Sequence, residues 1–151
     1  MKRNRKIGNT TAALSCTTQT TVRFSEVDSM QVVWHGEYVR YFEDGREAFG
    51  REYPGLGYLD FYANGYTVPI VDLQLQYVSP LTVNDIAVIE TRFIESPAAK
   101  LCFEYIIHRK SDGALVARGS SVQVFVNADG NMELNNPVFF EEWKNQWLKK
   151  E

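Results

Sequence analysis

The sequence predicts an α+β domain in which a five-stranded antiparallel sheet wraps around one long helix, with a short helix at the C-terminus. Three observations predict it. Between residues 36 and 50, Tyr38, Tyr41, Phe42, Gly45 and Phe49 recur at three- and four-residue intervals and mark one apolar helix face. From residue 68 onward the pattern changes to β-rich runs separated by tight turns, among them the Asp112-Gly113 pair. Last, a lone helix with an aromatic face must be covered, and a curved sheet is the simplest cover.

The elements follow in order. Residues 1–18 read as a disordered N-terminal tail, leaving a single domain over 19–151. The tail begins with basic residues, but segment 7–14 is too short and polar for the apolar core of a signal peptide. Residues 20–24 alternate polar and apolar, as a first strand does. A loop carrying Asp28 follows, and then the long helix over 36–50. Its wetter face holds Glu37, Arg40, Asp44, Glu47 and Arg51. Gly45 lies on the apolar face, where Gly costs about 1 kcal/mol against Ala, so close approach to a sheet is implied.

Breakers at 53–58 end the helix, and 59–65 read as a short helix or a loop. Runs 68–79, 86–95, 100–110 and 114–127 read as four strands of an antiparallel meander. Val71, Leu73, Leu75 and Tyr77 would share one face of the first of these. Pro137 suits the first turn of a terminal helix over 138–151. There Phe139, Trp143 and Trp147 lie four apart and form a docked stripe.

Composition narrows the function. The chain has 151 residues, 44% of them hydrophobic and 13% aromatic, so one domain with an aromatic-rich core or pocket is expected. A net charge of −3 and a pI near 5.5 argue against a nucleic-acid partner. No run approaches the roughly 20 apolar residues of a membrane-spanning helix. The two cysteines, Cys16 and Cys102, are not spaced for a metal and read as reduced thiols of a cytoplasmic protein. With two histidines, a His-rich metal site is not expected, and no cofactor is implied.

Asp28 is the candidate catalytic group. It is followed by the apolar residues Met30, Val32, Val33 and Trp34, and it lies shortly before the start of the long helix at His35-Gly36. Free N–H groups at a helix start can face an anion. A partly desolvated carboxylate there is placed to attack a polarised carbonyl or to activate water.

On these residues the chain resembles the hotdog-fold thioesterases, and within them the 4-hydroxybenzoyl-CoA thioesterase and YbgC-type acyl-CoA thioesterase group. The carriers are Asp28, Val32-Val33-Trp34-His35, Tyr38, Phe42-Glu43 and Arg46, together with the order and length of the later strands. The resemblance spans residues 20–127 and implies an acyl-CoA thioesterase with Asp28 as nucleophile or general base. It gives His35 the helix-start position, whose backbone N–H faces the thioester carbonyl and whose side chain is also held to be functional. Trp34, Gly36 and Tyr38, with the aromatics of 58–66, are expected around the acyl group. Lys100 takes the position of a basic residue near the coenzyme A entrance, among the late cations Lys100, Arg109, Lys110 and Arg118.

The chain departs from the group at two positions. Gln31 replaces a Gly common before the Val-Val pair, and Phe24 replaces a Tyr that some members carry. Hotdog sheets pair edge to edge, so a homodimer or homotetramer is expected. Two other readings stand beside the acyl-CoA one: hydrolysis of acyl-carrier-protein thioesters, and non-catalytic binding of acyl-CoA.

Overall fold

The computed structural model describes residues 12–148. They form strand β1 (Leu14–Thr21), a 3-10 turn (Phe24–Glu26), helix α1 (Glu37–Glu52) and the short helix α2 (Tyr58–Ala63). Strands β2 (Ile70–Tyr77), β3 (Ile86–Ile94), β4 (Lys100–Arg109) and β5 (Leu115–Val124) follow, and helix α3 (Val138–Trp147) ends the described chain. The strands make one five-stranded antiparallel sheet in the order β1-β3-β4-β5-β2. The fold is therefore the expected α+β hotdog, a sheet packed on a central helix.

Aromatic packing joins α1 to the sheet. Phe42 stacks on Tyr105 with ring centroids 4.4 Å apart, and Phe49 meets Phe93 and Phe103. Each such ring contributes about 1.5–3 kcal/mol by burial. Gly45 is where α1 comes closest to β3. A Cβ built there would lie 2.3 Å from Thr91 Oγ1 and 2.9 Å from Ile89 Cγ2. The far end of α1 is closed by α3. The Trp143 indole N–H donates to the Tyr53 carbonyl at 3.0 Å, and Phe140 is fully buried.

Four expectations are corrected. The first strand starts at Leu14 and not at residue 20, so residues 14–18 of the expected tail belong to the sheet, while 1–11 lie outside the described residues. The inward positions Cys16, Thr18 and Thr20 face Thr91, Ile89 and Ala87 across the ladder. Inward threonines hid the alternation. Phe24 consequently leaves the strand and stands in the 3-10 turn, 82% exposed. Third, the strands are not a simple meander. β3, β4 and β5 follow one another, but β2 pairs with β5 at the far edge. Its Val71 sits in an irregularity of the pairing, while Leu73, Leu75 and Tyr77 keep one face. Fourth, Glu37 is not on a wet face but is buried in the first turn of α1, with Oε2 making no hydrogen bond.

Two outcomes test this packing. Gly45→Ala gains helix propensity of about 1 kcal/mol, yet overpacking costs about 1–3 kcal/mol, so urea unfolding should show a net loss of stability. Gly119→Ala should cost more, because its Cβ would meet the Gln74 carbonyl oxygen at 2.5 Å and backbone cannot yield. Burial, with the hydrogen bond and charge of Glu52, pushes the Cys16 thiol up to about 11. Cys16 therefore stays protonated well above neutral pH. A thiol reagent at pH 8 should label Cys102 first and reach Cys16 only on unfolding.

Candidate active site

A short hairpin positions Asp28. Val27 bridges Val33, the Asp28 N–H donates to the Val32 carbonyl at 2.9 Å, and the Trp34 N–H donates to the Glu26 carbonyl at 2.9 Å. Asp28 is thereby tied to the residues that lead into α1. Its Oδ1 accepts the Met30 N–H at 2.8 Å. Among the described residues Oδ2 has no hydrogen-bond partner, so one carboxylate oxygen is left for other work. The turn needs a left-handed residue, and Gln31 supplies it with φ 65°. That is the position where the resembled group commonly carries Gly.

The surroundings of Asp28 differ from the apolar shell expected. Asp28 is half-buried and Val33 is buried, but Met30 is 74% exposed and Trp34 49%. Phe24, in the preceding 3-10 turn, is exposed as well.

Backbone accounting around the helix start is informative. Val33 N–H goes to the Leu81 carbonyl, Trp34 N–H to Glu26 and Glu37 N–H to Trp34. Among the described residues no backbone carbonyl takes the N–H of His35 or Gly36. These two donors sit at the positive end of the α1 dipole. The Trp34 ring lies over Gly36, where a Cβ would fall 2.1 Å from it, so only Gly admits this stacking. His35 is exposed, with its ring 4.9 Å from that of Trp34.

Tyr38 lies beneath. It is 3% exposed, burial raises its pKa, and its hydroxyl takes a backbone hydrogen bond from Leu81. Its ring meets Tyr77 edge-on at 5.2 Å. The Tyr77 hydroxyl donates to the His35 carbonyl at 2.6 Å. Sequence reasoning missed Tyr77 and Leu81 as site residues. The one signal for Tyr77 was its inward register on the edge strand. Leu81 had none beyond the turn it occupies.

The structure thus brings Asp28, Trp34, His35, Gly36 and Tyr38 to one end of the sheet. It does not bring Lys100 there. Lys100 pairs with Val124 at the opposite end, while Ile107 pairs with Ala117 and hence with Tyr77. Seven strand residues separate these ends, roughly 23 Å. The aromatics of 58–66 also lie at that far end, with Phe61 and Tyr66 packed on Phe139. Of the other late cations, Arg109 bonds Asp112 and the Pro80 carbonyl, Arg118 bonds Gln76, and Lys110 bonds Gln19. Glu43 and Arg46 form an ion pair with each other.

A curved antiparallel sheet around one helix, with an acid held beside that helix's start, defines the class. Residues 22–148 match the family model described as the thioesterase-like superfamily, and the chain belongs to that family. A relative in Bacillus subtilis (strain 168), described as "Putative acyl-CoA thioesterase YneP", is 27% identical over 128 residues, 85% of this chain and 91% of that one. Among solved structures, a DHNA-CoA thioesterase from Staphylococcus aureus superposes with a TM-score of 0.77 at 22% identity, covering 87% of this chain and 89% of that one. A mutant 4-hydroxybenzoyl CoA thioesterase complexed with 4-hydroxybenzoyl CoA gives a TM-score of 0.74 at 21% identity, covering 85% and 97%. The chain is an acyl-CoA thioesterase-like hotdog protein.

Gln31 offers a direct test of the loop. A left-handed non-Gly residue is strained by about 1–2 kcal/mol, and Gly gives back roughly half of that as lost chain entropy. Gln31→Gly should raise the unfolding free energy by about 1 kcal/mol. Gln31→Val should lower it, as chemical denaturation would show.

Proposed function

We propose that the chain hydrolyses the thioester of an acyl-CoA to the free acid and coenzyme A. The observation that carries this reading is the pairing of a half-buried Asp28 with the two N–H donors of His35 and Gly36 at the helix start. On the nucleophilic route, an Asp28 carboxylate oxygen attacks the thioester carbonyl carbon. The oxygen of that carbonyl becomes an oxyanion facing the helix-start donors. The C–S bond then breaks, coenzyme A leaves as a thiolate that takes a proton from solvent, and water opens the mixed anhydride. On the general-base route Asp28 takes a proton from water, which attacks directly. Both routes consume one water and give the same products. Removing one preorganised donor at an oxyanion typically costs about 10²–10³ in rate.

The edge strand supports assembly as a homodimer. Among the described residues β2 ends the sheet with its outer backbone unpaired, and Val71, Leu73 and Tyr77 on it, with Val78 just beyond, are 59%, 41%, 51% and 50% exposed. An exposed apolar edge of this length is normally covered. Antiparallel pairing of two β2 strands sets the Ile70 end of one copy beside the Tyr77 end of the other. That arrangement carries the far-end aromatics and Lys100 of the second copy toward the Asp28 site, which restores to them a part in holding the acyl group and coenzyme A.

Asp28→Asn and Asp28→Ala should each lower kcat by at least 10²-fold on any acyl-CoA the native chain turns over, without loss of fold. Near-native turnover in both would sink the assignment. His35→Ala keeps the backbone donor, so its loss should stay below about tenfold, the value of one ordinary hydrogen bond. A larger loss would give the imidazole a direct part. Sedimentation should report a dimer, and a charged residue at Leu73 should shift it to monomer.

A further inference from the structure

The helix start presents two N–H groups without a backbone acceptor among the described residues. The His35 N–H is the expected oxyanion donor, and Tyr77 bears on the second, that of Gly36. Its hydroxyl donates to the His35 carbonyl at 2.6 Å, and that carbonyl shares a peptide unit with the Gly36 N–H. A trans peptide is planar, with C=O and N–H pointing in opposite directions. Fixing the carbonyl on Tyr77 therefore fixes the direction of the Gly36 N–H. It also polarises the peptide, because a hydrogen bond accepted at the oxygen strengthens the donor on the same unit by about 10–30%. The peptide that carries the His35 N–H is held in the same way from within the helix turn, because its carbonyl, that of Trp34, accepts the Glu37 N–H at 2.9 Å.

Two further contacts support Tyr77. Its ring stands edge-on to Tyr38, with an interplanar angle of 88°. Tyr38 is itself edge-on to Tyr41 at 5.8 Å, and the Tyr41 hydroxyl donates to Glu26. Tyr77 is also registered opposite Ala117 at the end of the β2–β5 ladder. The hydroxyl is thus carried by the sheet, not by the loop it holds.

We propose that Tyr77 is a positioning residue, whose hydroxyl clamps the His35–Gly36 peptide so that the Gly36 N–H is aimed, beside the His35 N–H, at the thioester oxyanion. The proposal rests on the thioesterase reading, and it adds to that reading a named donor and the group that orients it. Tyr77 touches no reacting atom and acts only through the peptide.

The test uses the full chain with Tyr77→Phe, which keeps the ring contact with Tyr38 and deletes only the hydroxyl. Two readouts are taken. In backbone amide NMR the Gly36 proton and nitrogen should move upfield in the variant, while Gly113 and Gly130 in distant turns stay in place. In steady-state hydrolysis of an acyl-CoA, kcat should fall about 3–12-fold with KM unchanged within about twofold, the loss expected of one hydrogen bond. The unfolding midpoint should not move, whereas Tyr77→Leu, which removes the ring too, should lower it. A Gly36 resonance that stays put overturns the clamp even in an active enzyme. A shifted Gly36 with unchanged kcat overturns the donor role. A native chain that turns over no acyl-CoA overturns the thioesterase reading and the oxyanion role with it. In that case the NMR arm still decides whether Tyr77 holds the peptide.

Discussion

The crossover between β2 and β3 is the constraint on which the site depends. β2 pairs with β5 and β3 pairs with β1, so the connecting residues must traverse one end of the sheet. Leu81, in the middle of that traverse, is fully buried and plugs the space beneath the start of α1. Its carbonyl takes the Val33 N–H at 2.9 Å, and its N–H goes to the Tyr38 hydroxyl. Arg109 bonds the Pro80 carbonyl, and Val22 and Asn84 exchange backbone bonds with Asp85 and Val22. The Asp28 hairpin, the helix start and the first turn of α1 are thus referred to one buried point. The loop is bonded to both sides of the sheet at that one end, to Val22 just after β1 and to Val116 of β5, and so ties the hairpin to both.

Charge divides the two flanks of that helix start. On the β1 side Glu26 accepts from Tyr41 and from the Arg23 N–H, and the charges of Glu26 and Glu37 both act on Tyr41. Burial, then Glu47 and Glu26, raise the pKa of Asp44 on the same side. This is an acidic flank, and phosphates would be repelled from it. The donors of His35 and Gly36 face away from backbone partners, and the exposed rings of Trp34 and Tyr77 lie beside them. On the proposed reading, an anionic tail would be turned away from the acidic flank and the acyl group would lie toward the apolar β2 side.

The fold was legible because its strongest signals are periodic. The aromatic face of α1, the strand runs and the Asp112-Gly113 turn each follow from local spacing, and all appear in the structure. Asp28, Trp34, His35, Gly36 and Tyr38 were legible as a group because they are contiguous in sequence and meet through one hairpin. What was not legible is what folds in from a distance. Tyr77 reaches His35 across 42 positions of sequence, and no local pattern marks such a pair. β1 was shortened because inward threonines look polar in a sequence. Glu37 departs from the expected wet face because periodicity assigns a face and not what folds over its first turn. Lys100 was placed by resemblance alone, and one chain cannot bring it to the site.

β2 therefore does two jobs that are usually separate. Its outer backbone and its exposed Val71 and Leu73 are suited to a second copy, while its last residue, Tyr77, holds the peptide at the helix start. A lone edge strand is held by one ladder only, and its end is the part most prone to fraying. Adding a second ladder on the free side would quiet Tyr77 and, through the His35 carbonyl, the Gly36 N–H. On the proposed reading, the clamp would place one oxyanion donor under the control of the same edge that would join two subunits. In a monomer the acid would still be held by its hairpin, because Val27, Asp28 and Trp34 are bonded within residues 26–34 and to Leu81. The donor would be the part to loosen. Assembly and catalysis are coupled on this view through the electrophilic half of the site, and Asp28 would be present and correctly held in either state.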